Sequence, residues 1–410
     1  MQSHHLWIWQ QKDWPKFYYD SGLLLPHISS ASRLIGALSA ICQTLSDTER
    51  LDAQERVLTD DTMETAAIEG EVLRRSSVRA SIRKRLGLPV EREDRDERAD
   101  GLVSVLLDAR LQKQQPLTEE RLFGWHAALF PGGYSGLHKI RVARYRGKEE
   151  MRLVAGAIGR ETVHYVAPPK AELDREMTRF LDWLNTEDEP EPLLKAGIAH
   201  LWFIMIHPFD DGNGRIGRAV TDYLLTRSYP SLMELVSFSK YISLDRKGYY
   251  SILEVAGKNG MDITSWLAWF LQTFEAALLE SQWIVERVVT KARFWQQNRD
   301  VALNARQQKV INRLLDSGDR FEGGMTTRKY AGMTKCSSVT ASRDLADLVD
   351  KNILQKRPGG GRSTSYELCP VRARTLRIIR QERIVVSDRS PYFLTDNCLI
   401  ESMPEIQEKC

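Results

Sequence analysis

Apolar residues recur at three- and four-residue spacing along most of the chain, in segments such as 28–45 and 172–184, and this periodicity predicts helix almost throughout. The main exception is a stretch around residues 151–166 that predicts a β-hairpin. Pro, Gly and charged clusters break the pattern at 87–100, 131–136, 186–192 and 296–306. The expected fold class is therefore mainly α. Residues 1–110 form an N-terminal helical region, 115–275 a core, 276–305 a connecting helix, 306–370 a small module and 371–410 a tail. The opening is rich in aromatics (Trp7, Trp9, Trp14, Phe17, Tyr18, Tyr19), which either pack onto the first long helix or build a small capping domain. A basic run at 74–85 followed by an acidic run at 91–97 reads as solvated helix faces and loops.

Composition narrows this picture only in places. A chain of 410 residues with 42% hydrophobic content can fill two or three cores. Lys+Arg (58) nearly balance Asp+Glu (55), so any nucleic-acid role must come from local patches. The five cysteines (Cys42, Cys336, Cys369, Cys398, Cys410) make no CxxC pair, which suits a reducing cytoplasm better than a disulfide framework or a zinc site. The first residues lack a secretory pattern, and the longest apolar run, Leu201 to Ile206, is too short to cross a bilayer. The expectation is a soluble, cytoplasmic protein with no membrane partner.

Chemistry concentrates in one segment. Leu193 to Ile206 is a strongly apolar helix, followed by His207-Pro208-Phe209-Asp210-Asp211-Gly212-Asn213-Gly214-Arg215-Ile216-Gly217-Arg218 and a second helical pattern. Pro208 disfavours helical backbone at His207 and so stops the first helix at the imidazole. Phe209 pins the loop into apolar surroundings. Gly212-Asn213-Gly214 can take positive φ values that aim backbone N–H groups at one point, where the next helix adds its own orphan donors: an anion cradle. Arg215 and Arg218, in the first turn, reach successive phosphates with forked donors. Asp211 offers the hard oxygen that Mg²⁺ prefers, and the imidazole of His207 suits removal of a proton from a hydroxyl. The competing reading, a tight interhelical loop with two solvated arginines, leaves nine compatible positions unexplained. No Lys-Ser/Thr follows the glycines, so this is no P-loop.

His207 to Arg218 resembles the signature of the Fic family without a departure, and the likeness runs from roughly residue 115 to 275. The resemblance implies a Fic-type helical core with a small β-hairpin flap. It implies a protein adenylyltransferase that moves AMP from Mg-ATP to Ser, Thr or Tyr hydroxyls of target proteins or of itself. By that resemblance His207 is the base, Asp211 the metal ligand, and Gly212, Asn213, Gly214, Arg215, Ile216, Gly217 and Arg218 bind the nucleotide. Residues 160–169 are similar to the family's flap, with Val163, His164, Tyr165 and Val166 docking a target by strand addition. Tyr250 is placed against the adenine, and Gly257 falls where some relatives carry a base-contacting Asn.

Upstream, Asp60 to Glu71 reads from its residues as a capped helix start, with Thr65 and Glu69 on one face. Thr65-Ala66-Ala67-Ile68-Glu69-Gly70 resembles the family's inhibitory motif, placed before the core. The implied brake is Glu69 paired with Arg218, competing with the γ-phosphate. In some relatives the same Glu supports AMP removal, so de-AMPylation stays open, as does a homodimer.

Beyond Arg306 the pattern is helix, helix, turn, helix. Then Ile353 to Lys356 and Ser365 to Leu368 form two strands around a basic glycine loop, which resembles a winged helix. Ser337, Ser338, Thr340 and Arg343 could meet DNA, whereas Asp344, Asp347 and Asp350 on the same helix favour a protein partner. A reading of a different class follows: a DNA-binding regulator whose Fic core only senses nucleotide. The enzyme is preferred because a sensor needs no His207.

Overall fold

Every residue from Leu193 to Ile206 except Lys195 is buried, and a helix apolar on all sides has its place at the centre of a bundle. The computed structural model describes residues 6–90, 96–155, 162–186, 191–318, 321–358, 364–370 and 406–409. Statements of absence below concern these residues. The chain divides into two compact units, residues 1–285 with 403–410, and residues 286–402.

The first unit runs α1 (Ser21–Cys42), α2 (Asp47–Ile68), α3 (Arg75–Arg85), α4 (Glu97–Leu111) and α5 (Glu119–Leu129). The hairpins β1 (Tyr134–Ser135) with β2 (His138–Lys139), and β3 (Arg152–Ala155) with β4 (Thr162–Val166), come next. Then follow α6 (Lys170–Asn185), α7 (Pro192–Ile206), α8 (Asn213–Ser228), α9 (Pro230–Met233), α10 (Phe238–Leu244), α11 (Arg246–Lys258) and the part of α12 (Thr264–Gln297) up to residue 285, the rest of α12 belonging to the second unit. The fold is mainly α, as expected. Two glycines set how closely the central helix is approached. A Cβ on Gly217 of α8 would lie 3.0 Å from Ile204, and one on Gly197 of α7 would lie 2.8 Å from Leu267.

Two expectations need correction here. Asp60 to Glu71 ends a helix and does not start one. Ser46 and Glu49 form a reciprocal capping box at the real start of α2, and Gly70, with φ of 76°, follows its end. The N-terminal aromatics build no separate cap, and they pack on α6, α7 and the β3–β4 hairpin. The cause is the need of each indole N–H for an acceptor. Trp14 Nε1 donates to the buried Glu176 carboxylate at 2.8 Å, and Trp9 Nε1 to the Val166 carbonyl at 2.7 Å. Trp14 and Phe17 meet Trp202 edge-on, and Trp7 meets Tyr165 in the same way. The basic run is α3, and it is only partly a solvated face: Arg83 holds the buried Glu55 at 2.6 Å, and Arg79 bonds the same carboxylate. The acidic residues 91–95 and the flap tip 156–161 lie outside the described residues. The outer edge of β3 pairs antiparallel with β7 (Ile406–Lys409).

In the second unit, α13 (Ala305–Ser317), α14 (Thr327–Thr334) and α15 (Ser338–Asp350) enclose a core that includes Val310, Ile311, Tyr330, Leu345 and Leu348. The hairpin β5 (Leu354–Lys356) with β6 (Tyr366–Leu368) follows, and Met325 exchanges two backbone hydrogen bonds of 2.8 Å with Tyr366 on its edge. The tip of this hairpin, 359–363, and residues 371–405 lie outside the described residues.

Candidate active site

His207 ends α7 in the left-handed region, with φ of 51° and ψ of 61°. A side-chain-bearing residue there is strained by about 1 kcal/mol or more and persists only when its surroundings dictate it. Arg146, itself 2% exposed, supplies that constraint: Nε donates to the His207 carbonyl at 2.8 Å and its backbone N–H to the Pro208 carbonyl at 2.9 Å. His207 Nδ1 lies 3.2 Å from the Ile204 carbonyl. A carbonyl only accepts, so this contact favours the tautomer with the proton on Nδ1, which leaves Nε2 its lone pair.

Phe209 is fully buried and stacked on His126 with ring centres 4.4 Å apart. Asn213 clasps the same residue from both sides: its side chain accepts from Phe209 N–H and donates to Phe209 C=O, each at 2.9 Å. The Asn213 side chain is thereby committed to the loop, and its backbone stands at the start of α8, where an expected phosphate contact would fall to it. Gly212 alone of the three-residue cradle has positive φ, 82°. A Cβ there would also press within 2.9 Å of the Phe130 ring. The Ile216 side chain is buried in the core, and Gly217 is the close approach to α7. Of the paired aspartates, Asp210 turns away to accept from Arg141 N–H at 2.9 Å. Asp211 carries a hydrogen bond from Ser135 and lies 3.4 Å from Arg215.

The two clamp arginines meet the end of α2. Arg218 Nη2 lies 2.7 Å from Glu69 Oε1, and its Nε bonds Thr65 Oγ1 at 2.5 Å. Arg215 Nη1 lies 2.6 Å from Glu71, and its guanidinium sits 4.8 Å from the Phe130 ring centre. Glu71 went unnoticed in the sequence, although Gly70 between two carboxylates can turn both into one site. Glu69 rests directly on α8, because a Cβ at Gly214 would fall 2.2 Å from its carboxylate. Asp61, Thr65 and Glu69 thus run four apart against Asp222, Arg218 and Gly214, also four apart. The far rung is closed by Arg110 of α4, 2.6 Å from both Asp61 and Asp222. Burial, opposed by Arg110, pushes the Asp222 carboxyl up to about 6.

One pocket is lined by His207, Glu69, Gly214, Tyr250, Leu253, Glu254, Leu153, His164 and Tyr165. His164 Nδ1 lies 2.7 Å from Glu254, which Lys258 also holds. Tyr165 is buried, and its hydroxyl donates to the Met205 carbonyl at 2.8 Å. Its ring explains Gly257, where a Cβ would approach Tyr165 within 2.9 Å. Tyr165 is therefore a wall of the pocket and not a side chain presented to a target. Val163 and Val166 are half-buried and do not line the pocket. Among the described residues no group of three or more His, Cys, Asp or Glu forms a metal cluster, and no helix is long and apolar enough to cross a membrane.

Two other histidines make the site sensitive to acid. Burial holds His126 down at about 4 and His200 at about 3, the latter also opposed by Arg218. His200 is wedged 2.9 Å from both Thr221 Oγ1 and Tyr249 OH. Both rings stay neutral in the folded chain where an unfolded histidine takes a proton at about 6.5. Stability is therefore intact above about pH 6.5 and lost as pH falls toward 4, by about 3 kcal/mol from His126 alone. Thermal melts across that interval should show Tm falling with pH, and less steeply in His200→Gln. A Tm that holds level would contradict the neutral burial of these rings.

A family model described as Fic/DOC family matches residues 116–225, from before α5 to the end of α8. Those residues belong to the Fic/DOC family. The Fic segment contains the whole loop from His207 to Arg218. Residues 7–88, which include Thr65, Glu69 and Glu71, match a second model described as a domain of unknown function (DUF4172). A curated relative named protein adenylyltransferase Fic, from Nematostella vectensis, is 27% identical over 197 residues, covering 46% of this chain and 41% of that protein. Its namesake from Drosophila willistoni is 36% identical over 97 residues, 23% of this chain and 18% of the relative. The chain thus spans less than half the length of these curated relatives. A crystal structure of a Fic family protein from Desulfovibrio desulfuricans G20 superposes with a TM-score of 0.51 at 22% identity, over 86% of this chain and 97% of that one. At this identity the likeness is one of fold.

Proposed function

We propose that this chain is a protein adenylyltransferase that moves AMP from ATP to a Ser, Thr or Tyr hydroxyl and is held in check by its own α2. The observation that carries the proposal is the shared pocket: a histidine of favoured tautomer, the first turn of a helix and an aromatic wall line it together, and one carboxylate intrudes. Nε2 of His207 takes the proton of the acceptor hydroxyl as its oxygen bonds the α-phosphorus. The bond from that phosphorus to the bridging oxygen breaks, and pyrophosphate leaves. Arg215 and Arg218, both nearly fully buried, are the cations for the departing phosphates. The Fic relatives' names support the reaction class.

Asp211 suits Mg²⁺, since that ion commonly takes one or two carboxylates and fills its shell with waters and phosphate oxygens. When bound, it would neutralise phosphate charge. Ser135 and Arg215 orient the Asp211 carboxylate meanwhile. Leu153, Met205, Leu253 and the Tyr250 ring give the pocket an apolar wall suited to a nucleobase. The β3–β4 hairpin would hold the target segment by strand addition.

Mass spectrometry of Glu69→Gly after incubation with ATP, and separately with UTP, tests the reaction and its donor. Addition of one AMP to the protein, exceeding any uridylyl addition, is expected. A phosphoryl mass, or no covalent addition with either nucleotide, would overturn the assignment.

A further inference from the structure

We infer that residues 305–369 are a winged helix that binds duplex DNA, with the N-terminal half of α15 facing the major groove. The order of elements is α13, the short Met325 strand, α14, a tight turn, α15 and the β5–β6 hairpin, and this is the connectivity of a helix-turn-helix with a wing. The turn passes through Lys335 in the left-handed region, and Ser337 then caps α15 by accepting from Thr340 N–H at 3.2 Å.

Orientation of the acids decides between DNA and a protein partner. Asp344 is 6% exposed and holds Arg306 Nε at 2.8 Å and the Tyr330 hydroxyl at 2.9 Å. Asp347 accepts from Gln307 Nε2 at 2.7 Å and pairs with Lys351 at 2.6 Å. Asp344 is thus a buried strut between α15 and its neighbours, while Asp347, 43% exposed, has its charge matched by Lys351. Asp350 stays exposed, but at the C-terminal end of the helix.

The outer face of the N-terminal half shows Ser338, Val339, Ser342 and Arg343, all exposed. An arginine beside small hydroxyls is the set that reads guanine edges, and Val339, at 68% exposure, offers the apolar contact a thymine methyl takes. Arg328 of α14, Lys335 of the turn and Lys356 of β5 are exposed as well, and among the described residues they and Arg343 have no acidic partner. Charge follows the same division. Residues 305–369 hold 12 of the chain's 58 Lys and Arg against 7 of its 55 Asp and Glu, so the whole positive surplus of the chain resides in this module. A local surplus of exposed cations is the electrostatic footprint expected of a module that meets a phosphate backbone.

The test uses the full chain and a fluorescein-labelled, mixed-sequence duplex of about 30 base pairs, three helical turns. Fluorescence anisotropy at low salt should show binding with Kd in the range of about 10⁻⁴ to 10⁻⁶ M or tighter, weakening steeply with salt. The double variant Arg343→Glu with Lys356→Glu should bind at least about tenfold more weakly and show a salt slope shallower by about two, with Tm unchanged. Absence of duplex binding at low salt would overturn the inference and leave α15 to a protein partner. So would a variant that binds like the unmodified chain, because the DNA would then be held elsewhere. Neither result depends on the chemistry assigned to His207.

Discussion

His207→Ala should transfer AMP some 10²- to 10⁴-fold more slowly while still binding nucleotide, because a positioned general base contributes about that much and the phosphate cations are untouched. The experiment belongs in the Glu69→Gly background, where there is activity to lose, with labelled ATP and automodification as the readout. Position 207 also bears backbone strain, with φ of 51°. Alanine there forfeits the Nδ1 contact to Ile204 as well as the base. His207→Asn is the better-matched partner variant, since asparagine tolerates left-handed backbone but cannot act as a base at neutral pH. If both variants melt near the parent temperature and both are inactive, the loss is chemical. Transfer at the parental rate by either would remove His207 from its assigned role.

Glu69→Gly should raise automodification by roughly 10- to 100-fold. A hydrogen bond to a charged partner is worth about 1.5–3 kcal/mol, and each 1.4 kcal/mol is tenfold in an equilibrium. That figure is what the γ-phosphate must overcome to take Arg218 from a carboxylate 2.7 Å away. The backbone accepts glycine at this place, since Glu69 lies one residue past the end of α2 and Gly70 already turns the chain. The second arm makes a sharper demand on the data. Glu71 holds Arg215 at 2.6 Å, so Glu69→Gly frees only one of the two cations. Glu71→Gln added to Glu69→Gly should lower KM for ATP further, because the amide leaves Arg215 without a full counter-charge. Initial rates against ATP concentration for the parent, both single variants and the double variant separate the arms as a cycle. Unaltered automodification in Glu69→Gly would end the idea of a brake. An unaltered KM on adding Glu71→Gln would confine it to Glu69.

The parts of this molecule legible in the sequence are those where chemistry and chain order coincide. His207, Gly214, Arg215 and Arg218 sit in one loop and one helix turn, so their spacing alone marked them as a candidate site, and His207 and Gly214 do line one pocket with Glu69. Tyr250 and Glu69, remote in the chain, were reachable only through resemblance. Side chains that act across the fold left no local trace. Arg146 is one of many arginines in a basic stretch, and nothing nearby says that it braces His207. Asn213 shows the opposite limit, a residue with the right chemistry whose side chain is committed to Phe209. The start of α2 was misplaced because threonines and aspartates at 60–65 imitate a cap, whereas the decisive signal was Ser46 with Glu49 three residues later. On α15 the sequence displayed three acids in a row of helical turns, and only packing revealed that two of them point at α13 and α14.

Arg146 also reaches past the loop it steadies: Nη2 donates to the Pro168 carbonyl at 2.5 Å, two residues beyond β4. One guanidinium therefore ties the root of the hairpin to the histidine that ends α7. The spacing between whatever lies along that hairpin and the imidazole becomes a property of the scaffold, fixed before any visitor arrives. If the hairpin holds a target segment as proposed, reach is a ruler built into the protein, and a target would qualify by the length of its side chain as much as by its chemistry.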